Sequence, residues 1–242
     1  DVYKRQLNRL FFIRLLIYCY SLIYFFQVHF IIWSNMSSNI IGSLIWIIFI
    51  FLSLFTHMII KSLSGEVDFI ITLFSRFAYS LPILFILAYV ARKSHLFQVN
   101  NWKNIALRTF FGFVTMIMVF SSLQLIPIGL TTALAQSSAI YVTLLSPFVL
   151  GEKIGLVRWS AVIFGLIGVF LMINPISIIN KTSELSALGI YLAFGSALTH
   201  AALALILRRI GKTEHPASTA LLHNLLTSLI IVFDIIFFGT KI

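Results

Sequence analysis

Among the ionisable side chains inside long apolar runs, Arg76, His200, His223 and Asp234 are those from which chemistry could be built. A charge in hydrocarbon costs about 2.5–3.5 kcal/mol on insertion scales, so each asks for a reason. Arg76 stands well inside its run, with Thr72, Tyr79 and Ile83 at helical spacing on the same face. A guanidinium there can hold an anionic or zwitterionic solute, or its long stem can carry the charge to the interface. His200 continues a row of Gly189, Ala193, Ser196 and Ala204, and His223 shares a face with Thr227 and Asp234. Imidazole and carboxylate groups in helices could relay protons, against the blander reading of a hydrogen-bonded histidine and an interfacial acid.

A second row carries uncharged polar groups. Gly129, Thr132, Gln136, Ala139 and Thr143 recur at helical spacing, and Pro147 completes the row. Small and polar residues on one face either let helices pack closely or line a cavity. Gln136 is the member best suited to touch a solute, because its amide has several hydrogen-bonding positions to satisfy. Gly165 and Gly168 read as packing positions, Pro127 as a first-turn proline, and Glu152 as a carboxylate ordering a loop near a helix N-terminus. The acids are few and scattered, so no catalytic residues are assigned and no enzyme is expected. A single cysteine, Cys19, excludes an intrachain disulfide and a cysteine metal cluster, and neither metal nor cofactor is expected.

The elements that must position these groups are apolar helices. Hydrophobic residues make up 60% of the chain and charged residues 10%, a polytopic membrane composition. Spans are expected at Ile40–Ile60, Phe69–Val90, Ile105–Leu125, Ile128–Leu150, Leu156–Ile173, Ala187–Leu207 and Ala217–Phe238. A length of about 20 residues crosses roughly 30 Å of hydrocarbon. Pro82 should bend the second span. The net charge of +10 does not point to nucleic acid, because the cations lie at the ends of the spans. Alternate loops carry Arg92, Lys93, Lys103, Arg108, Lys153, Arg158, Arg208, Arg209 and Lys212, whereas the opposite ones carry only Lys61, Lys181 and Lys241. That asymmetry puts the Met36 end and the basic loops in the cytoplasm.

The first residues are set apart. Residues 1–6, DVYKRQ, resemble a translated sequencing-library adapter, and 7–35 is an apolar leader expected to be non-native, with Met36 as the start. The competing reading makes Leu10–Trp33 a genuine span, but Lys4, Arg5, Arg9 and Arg14 would then oppose the charge pattern of the other loops.

Gly42 to Pro82 can be laid over Gly189 to Leu229 without a gap, placing Gly42 on Gly189, Lys61 on Arg208, Thr72 on Thr219 and Arg76 on His223. A five-span unit that begins again at the sixth span must be inserted upside down, as in many secondary transporters. The expected organisation is a first repeat at 36–174 and a truncated second repeat at 185–242.

Arg108 and Gly112, the Pro127-x-Gly129 entry, Pro147-x4-Glu152, and Gly165 with Gly168 together resemble the EamA-type half of the drug/metabolite transporter superfamily. Residues 40–174 fit one full repeat and 187–238 the first two helices of the next. The resemblance implies an all-α helical bundle of inverted repeats, here a fragment, in the bacterial inner membrane. It implies a secondary transporter of small metabolites, amino acids or their derivatives among them, whose partners are the lipid bilayer and a small-molecule substrate. Small multidrug exporters of that superfamily use a glutamate inside their first helix; here Glu66 lies in the following link instead, which speaks against that mechanism. The rival readings are a non-transporting membrane scaffold subunit and, more distantly, a membrane-embedded transferase.

Overall fold

The computed structural model describes residues 39–63, 67–151, 155–173 and 186–238. The adapter-like stretch 1–6, the leader 7–35 and Glu152 lie outside the described residues. Among the described residues the chain is helical, without a β-strand. The helices are α1 (Asn39–Leu63), α2 (Phe69–Ala78), α3 (Leu81–Arg92), α4 (Trp102–Leu125), α5 (Ile128–Gln136), α6 (Ser138–Leu150), α7 (Leu156–Ile173), α8 (Ala187–Ile210) and α9 (Pro216–Phe238). A 3-10 turn, Lys93–His95, follows α3. Among the described residues five stretches are long and apolar enough to cross a membrane: Phe69–His95, Trp102–Leu125, Ile128–Leu150, Ala187–Ile210 and Pro216–Phe237. Two further apolar helices, α1 and α7, occupy the first and fifth expected spans. The fold is an all-α polytopic membrane bundle.

Among the described residues two spans are broken. Pro82 has no N–H to give the carbonyl four residues back, so the second span stops as a helix at Ala78 and resumes at Leu81. Tyr79 keeps helical dihedrals and its N–H bonds the Ser75 carbonyl at 3.1 Å; Thr72 is buried, and Tyr79 is 44% exposed. The fourth span breaks at Ser137, whose hydroxyl donates to the Leu134 carbonyl at 2.6 Å. Its N–H also reaches back to Leu134 at 3.1 Å, a tightened turn of the 3-10 kind. The row from Gly129 through Gln136 therefore does not run straight on to Thr143.

Two prolines are accommodated locally. Pro127 is the residue before the first turn of α5 rather than within it, and its carbonyl accepts the Thr131 N–H at 3.0 Å. Pro147, inside α6, cannot bond the Thr143 carbonyl, and the Ser146 hydroxyl donates to that oxygen at 3.1 Å instead. Gly151 then ends α6 in the left-handed conformation (φ 69°) that glycine adopts without strain.

By packing, the chain divides into two compact units, Asp1–Ile105 with Thr213–Ile242, and Ala106–Lys212. In unit one, α9 packs against α2 and α3. Leu84, Ala88, Leu96, Ala217, Ala220 and Leu221 form an apolar core there. In unit two, α8 packs against α5 and α6. Ile126, Leu130, Leu134, Ile190 and Ala193 form its core. Large apolar side chains of α7 such as Leu156, Val157, Phe164 and Leu171 are exposed, which is the surface a spanning helix presents to lipid.

The offset that lays Gly42 on Gly189 lays Leu63, the last residue of α1, on Ile210, the last of α8. It lays Phe69, which opens α2, on Pro216, which opens α9.

Candidate functional site

Unit one gathers polar groups from α1, α2, the α2–α3 break and α9. Arg76 is half-buried in the last turn of α2, its guanidinium carbon 6.0 Å from the Phe77 ring centroid. Phe77 is itself 1% exposed, and the His223 ring of α9 meets it edge-on at 5.6 Å. The structure thus brings Arg76 and His223, both expected from sequence, to one ring; His57 of α1, in the same unit, was missed by sequence reasoning.

Polar atoms around this cluster differ in how well they are satisfied. Ser75 donates to the Thr72 carbonyl at 2.8 Å and Thr72 to the Asp68 carbonyl at 3.2 Å. Ser80, fully buried at the break, lies 2.7 Å from the Phe77 carbonyl and 3.0 Å from Asn224 Oδ1, and its single proton serves one of them at a time. Asn224 Nδ2 donates to the Ala220 carbonyl at 2.9 Å. By contrast, His57 Nδ1 and Thr227 Oγ1 are buried and have no hydrogen-bond partner among the described residues. Thr227 lies one turn beyond His223 and does not take even that residue's carbonyl, the usual resort of a helical threonine. Asp234 lies further along α9 and is half-buried; Tyr79 is exposed beside the break.

At one end of unit one the links are tied by charge. Glu214, 6% exposed, accepts the Asn100 N–H at 2.9 and 3.0 Å on its two oxygens and the Asn101 N–H at 2.9 Å. The Asn100 side chain donates to the Thr213 carbonyl at 2.7 Å, and Asn101 Oδ1 accepts the Lys103 N–H at 3.0 Å as α4 begins. Arg92 donates to the Gln98 carbonyl at 3.0 Å and to Ser218 Oγ at 3.2 Å. His215 Nδ1 accepts the Ala217 N–H at 3.3 Å. Burial and the Arg92 guanidinium hold the His215 pKa below its ordinary value.

Unit two holds the remaining candidates in a different chemical state. Thr132 donates back to the Ile128 or Gly129 carbonyl at 2.9 or 3.1 Å, and Thr143 to the Ala139 carbonyl at 2.9 Å. Their hydroxyl protons are engaged within their own helices, leaving acceptor lone pairs. Gln136 and His200 are exposed. Ser122 pins α4 to α8 by donating to the Gly189 carbonyl at 2.9 Å, and Thr115 Oγ1 lies 2.8 Å from Thr199 Oγ1. A Cβ on Gly189 would come 2.7 Å from Ile126, and one on Gly165 2.9 Å from Ile140. Around Gly168 there is open space.

Residues 40–174 match the EamA-like transporter family. Two Helicobacter pylori proteins named "Uncharacterized transporter", from strains J99 and 26695, are 30% and 29% identical over 98 residues. The matched stretch is 40% of this chain and spans 33% of each of those relatives. No solved structure matches the chain.

Proposed function

The chain belongs to the EamA-like transporter family, and from that premise we propose that it is a secondary transporter of small metabolites, working by alternating access between inverted repeats. Amino acids or their derivatives are the proposed cargo, and the bacterial inner membrane the proposed location. One observation carries this reading. The helices that the repeat overlay lays on each other, α2 and α9, pack together in unit one, and the overlaid residues Arg76 and His223 both approach Phe77. Equivalent helices meeting around ionisable groups within apolar spans fit a binding site near the bilayer midplane, where such transporters hold their solutes. The asymmetry of the loop cations supports a cytoplasmic Met36 end.

The test is transport by the protein expressed from its complete gene. Everted vesicles are loaded with a panel of labelled amino acids, organic acids, amines and nucleosides, and flux is compared with vesicles lacking the protein. The expected result is accelerated flux for one solute class. Unchanged flux for every solute, with the protein confirmed in the membrane, overturns the proposal.

A further inference from the structure

We propose that the link between α3 and α4, which carries exposed Lys93 and Lys103, is a docking surface for anionic lipid headgroups at one face of the bilayer. It needs only that the bundle spans a membrane, whether or not it transports.

The link joins the spans Phe69–His95 and Trp102–Leu125, so its cations stand where two apolar helices end. Lys93, His95 and Lys103 are exposed, and between the two lysines Phe97 and Trp102 are 49% and 57% exposed. Aromatic rings settle at the headgroup level of a bilayer, and ammonium groups beside them meet the lipid phosphates.

The protein itself offers these cations little counter-charge. Among the described residues the acids are Asp68, Glu214 and Asp234. Asp68 caps α2 at the other end of the span that Lys93 closes, and Asp234 lies toward the far end of α9. Glu214 is at the same end as the link, but it is 6% exposed and both its oxygens receive the Asn100 and Asn101 N–H groups. That carboxylate is spent on backbone amides, and the lysines keep their charge for what lies outside the protein.

The second observation is conformational. Among the described residues Lys93 is the only non-glycine residue with a positive φ, at 52° with ψ −119°. Glycine takes such a conformation freely, whereas a side chain there costs stability and persists only where the surroundings impose it. Here they do. Leu96 is buried in the core with Leu84, Ala88 and Leu221, and the Gln98 N–H bonds the His95 carbonyl at 3.2 Å. Arg92 donates across the turn to the Gln98 carbonyl at 3.0 Å and to Ser218 Oγ at 3.2 Å. The turn is a fixed platform, and a lysine occupies the position that would suit glycine better. A cation kept at a strained position points to a use for its charge. A soluble phosphate is held by groups that enclose it; lysines at the two ends of an open link suit the extended phosphate surface of a bilayer.

The experiment titrates the full chain, in neutral detergent, with phosphatidylglycerol, phosphatidylcholine and inorganic phosphate. Native mass spectrometry counts bound lipid, and unfolding temperature is followed in parallel. Phosphatidylglycerol should bind more tightly than phosphatidylcholine, with a preference that shrinks as salt is added, and inorganic phosphate should have no effect. A basic residue at an anionic surface contributes about fivefold in affinity. Lys93→Gln and Lys103→Gln should each weaken phosphatidylglycerol binding by about that factor and leave phosphatidylcholine binding unchanged. Lys93→Arg should retain the affinity. Lys93→Gly should lose it as Lys93→Gln does, while the lipid-free protein unfolds at the same or a higher temperature because the strain is gone. Lys103→Gln leaves the Lys93 turn untouched, so the test stands even where a Lys93 variant fails to fold. Equal binding of the two lipids, a saturable response to inorganic phosphate, or undiminished phosphatidylglycerol binding when both lysines are changed to Gln overturns the proposal.

Discussion

Replacing Glu214 should loosen the joint between the segment before α4 and the segment before α9. Its carboxylate is 6% exposed and accepts two backbone N–H groups, from Asn100 and Asn101, in contacts of 2.9 to 3.0 Å. Hydrogen bonds to a charged group contribute about 1.5–3 kcal/mol each when buried. Asn100 and Asn101 are exposed residues, so water can re-solvate their amides, and the lower end of that range applies. A carboxylate at the start of α4 adds about 0.3–1 kcal/mol through the helix dipole. Glu214→Ala should therefore cost roughly 3 kcal/mol, the sum of two such bonds less rehydration, plus the dipole. Glu214→Gln is the more informative change. Oε1 alone receives both Asn100 and Asn101 at 2.9 Å, so an amide oxygen in its place keeps both bonds. Only the charge and the 3.0 Å contact to Oε2 are lost, and the cost should be about 1 kcal/mol. Equilibrium unfolding in bicelles, with hydrogen exchange at the Asn100 and Asn101 amides, measures both. Equal losses for Ala and Gln, or an Ala cost below about 0.5 kcal/mol, the range of an ordinary surface substitution, would refute the reasoning.

Further tests follow from other contacts. Gly189→Ala should destabilise by about 1–3 kcal/mol through overpacking, since the new methyl meets Ile126 at 2.7 Å and Leu125 at 2.9 Å. Gly168→Ala, in open space, should be neutral or slightly stabilising; equal effects in unfolding titrations would count against close packing at Gly189. His215 should contribute a pH-dependent term, because its folded pKa is lowered by burial and by Arg92, and its Nδ1 must stay unprotonated to accept the Ala217 N–H. The unfolded chain then takes up the proton first, so this stability is complete above about pH 6.5 and declines as pH falls through the window below it. His215→Gln should flatten that slope in pH-resolved unfolding, and an unchanged slope overturns the assignment. A double-mutant cycle of Ser80→Ala and Asn224→Ala should give a coupling of about 0.6 kcal/mol, the average for hydrogen bonds between membrane helices. Strict additivity would mean that the Ser80 proton stays on Phe77.

Length and hydropathy made the helix limits legible, and the physics explains the misses. α7 runs over the expected Leu156–Ile173, and α9 starts one residue before its expected span. Pro82 was visible as a bend, but its consequence lies four residues back, at the carbonyl that loses its donor, so the helix ends at Ala78. Ser137 gave no warning, because a serine inside an apolar run usually bonds its own helix without bending it sharply. Arg76 stood out by its charge. Asn224 and Ser80 did not, because each is unremarkable alone and they meet across a sequence separation of 144 residues. Glu214 lies in a short polar link, where its residue type alone does not distinguish it from a solvated charge. Its role depends on which backbone amides the fold brings to it, and no local pattern encodes that. His57 offered the one signal that could have been used, an imidazole one turn before Lys61 inside an apolar run.

The hydroxyl groups along the spans differ in whether their proton is already engaged within the helix. A serine or threonine has one proton, and a helix offers a carbonyl within reach one turn back. Thr132, Thr143, Ser137 and Ser146 all use theirs in that way, two of them at the helix disruptions of the fourth span. At Ser146 the bond compensates a carbonyl that Pro147 left open, so the proton cannot be lent to a solute without exposing that oxygen. These groups present acceptors and suit a solute that brings its own donors. Thr227 and Thr109 differ: both are buried hydroxyls that make no such bond among the described residues, and Thr227, fully buried, sits one turn from His223. Filling its position with valine keeps the shape and removes the donor. Because that hydroxyl makes no bond in the folded protein, Thr227→Val should leave equilibrium unfolding in bicelles unchanged or shift it toward greater stability. A loss of more than about 1 kcal/mol would refute this, since it would mean the hydroxyl is hydrogen-bonded in the folded protein.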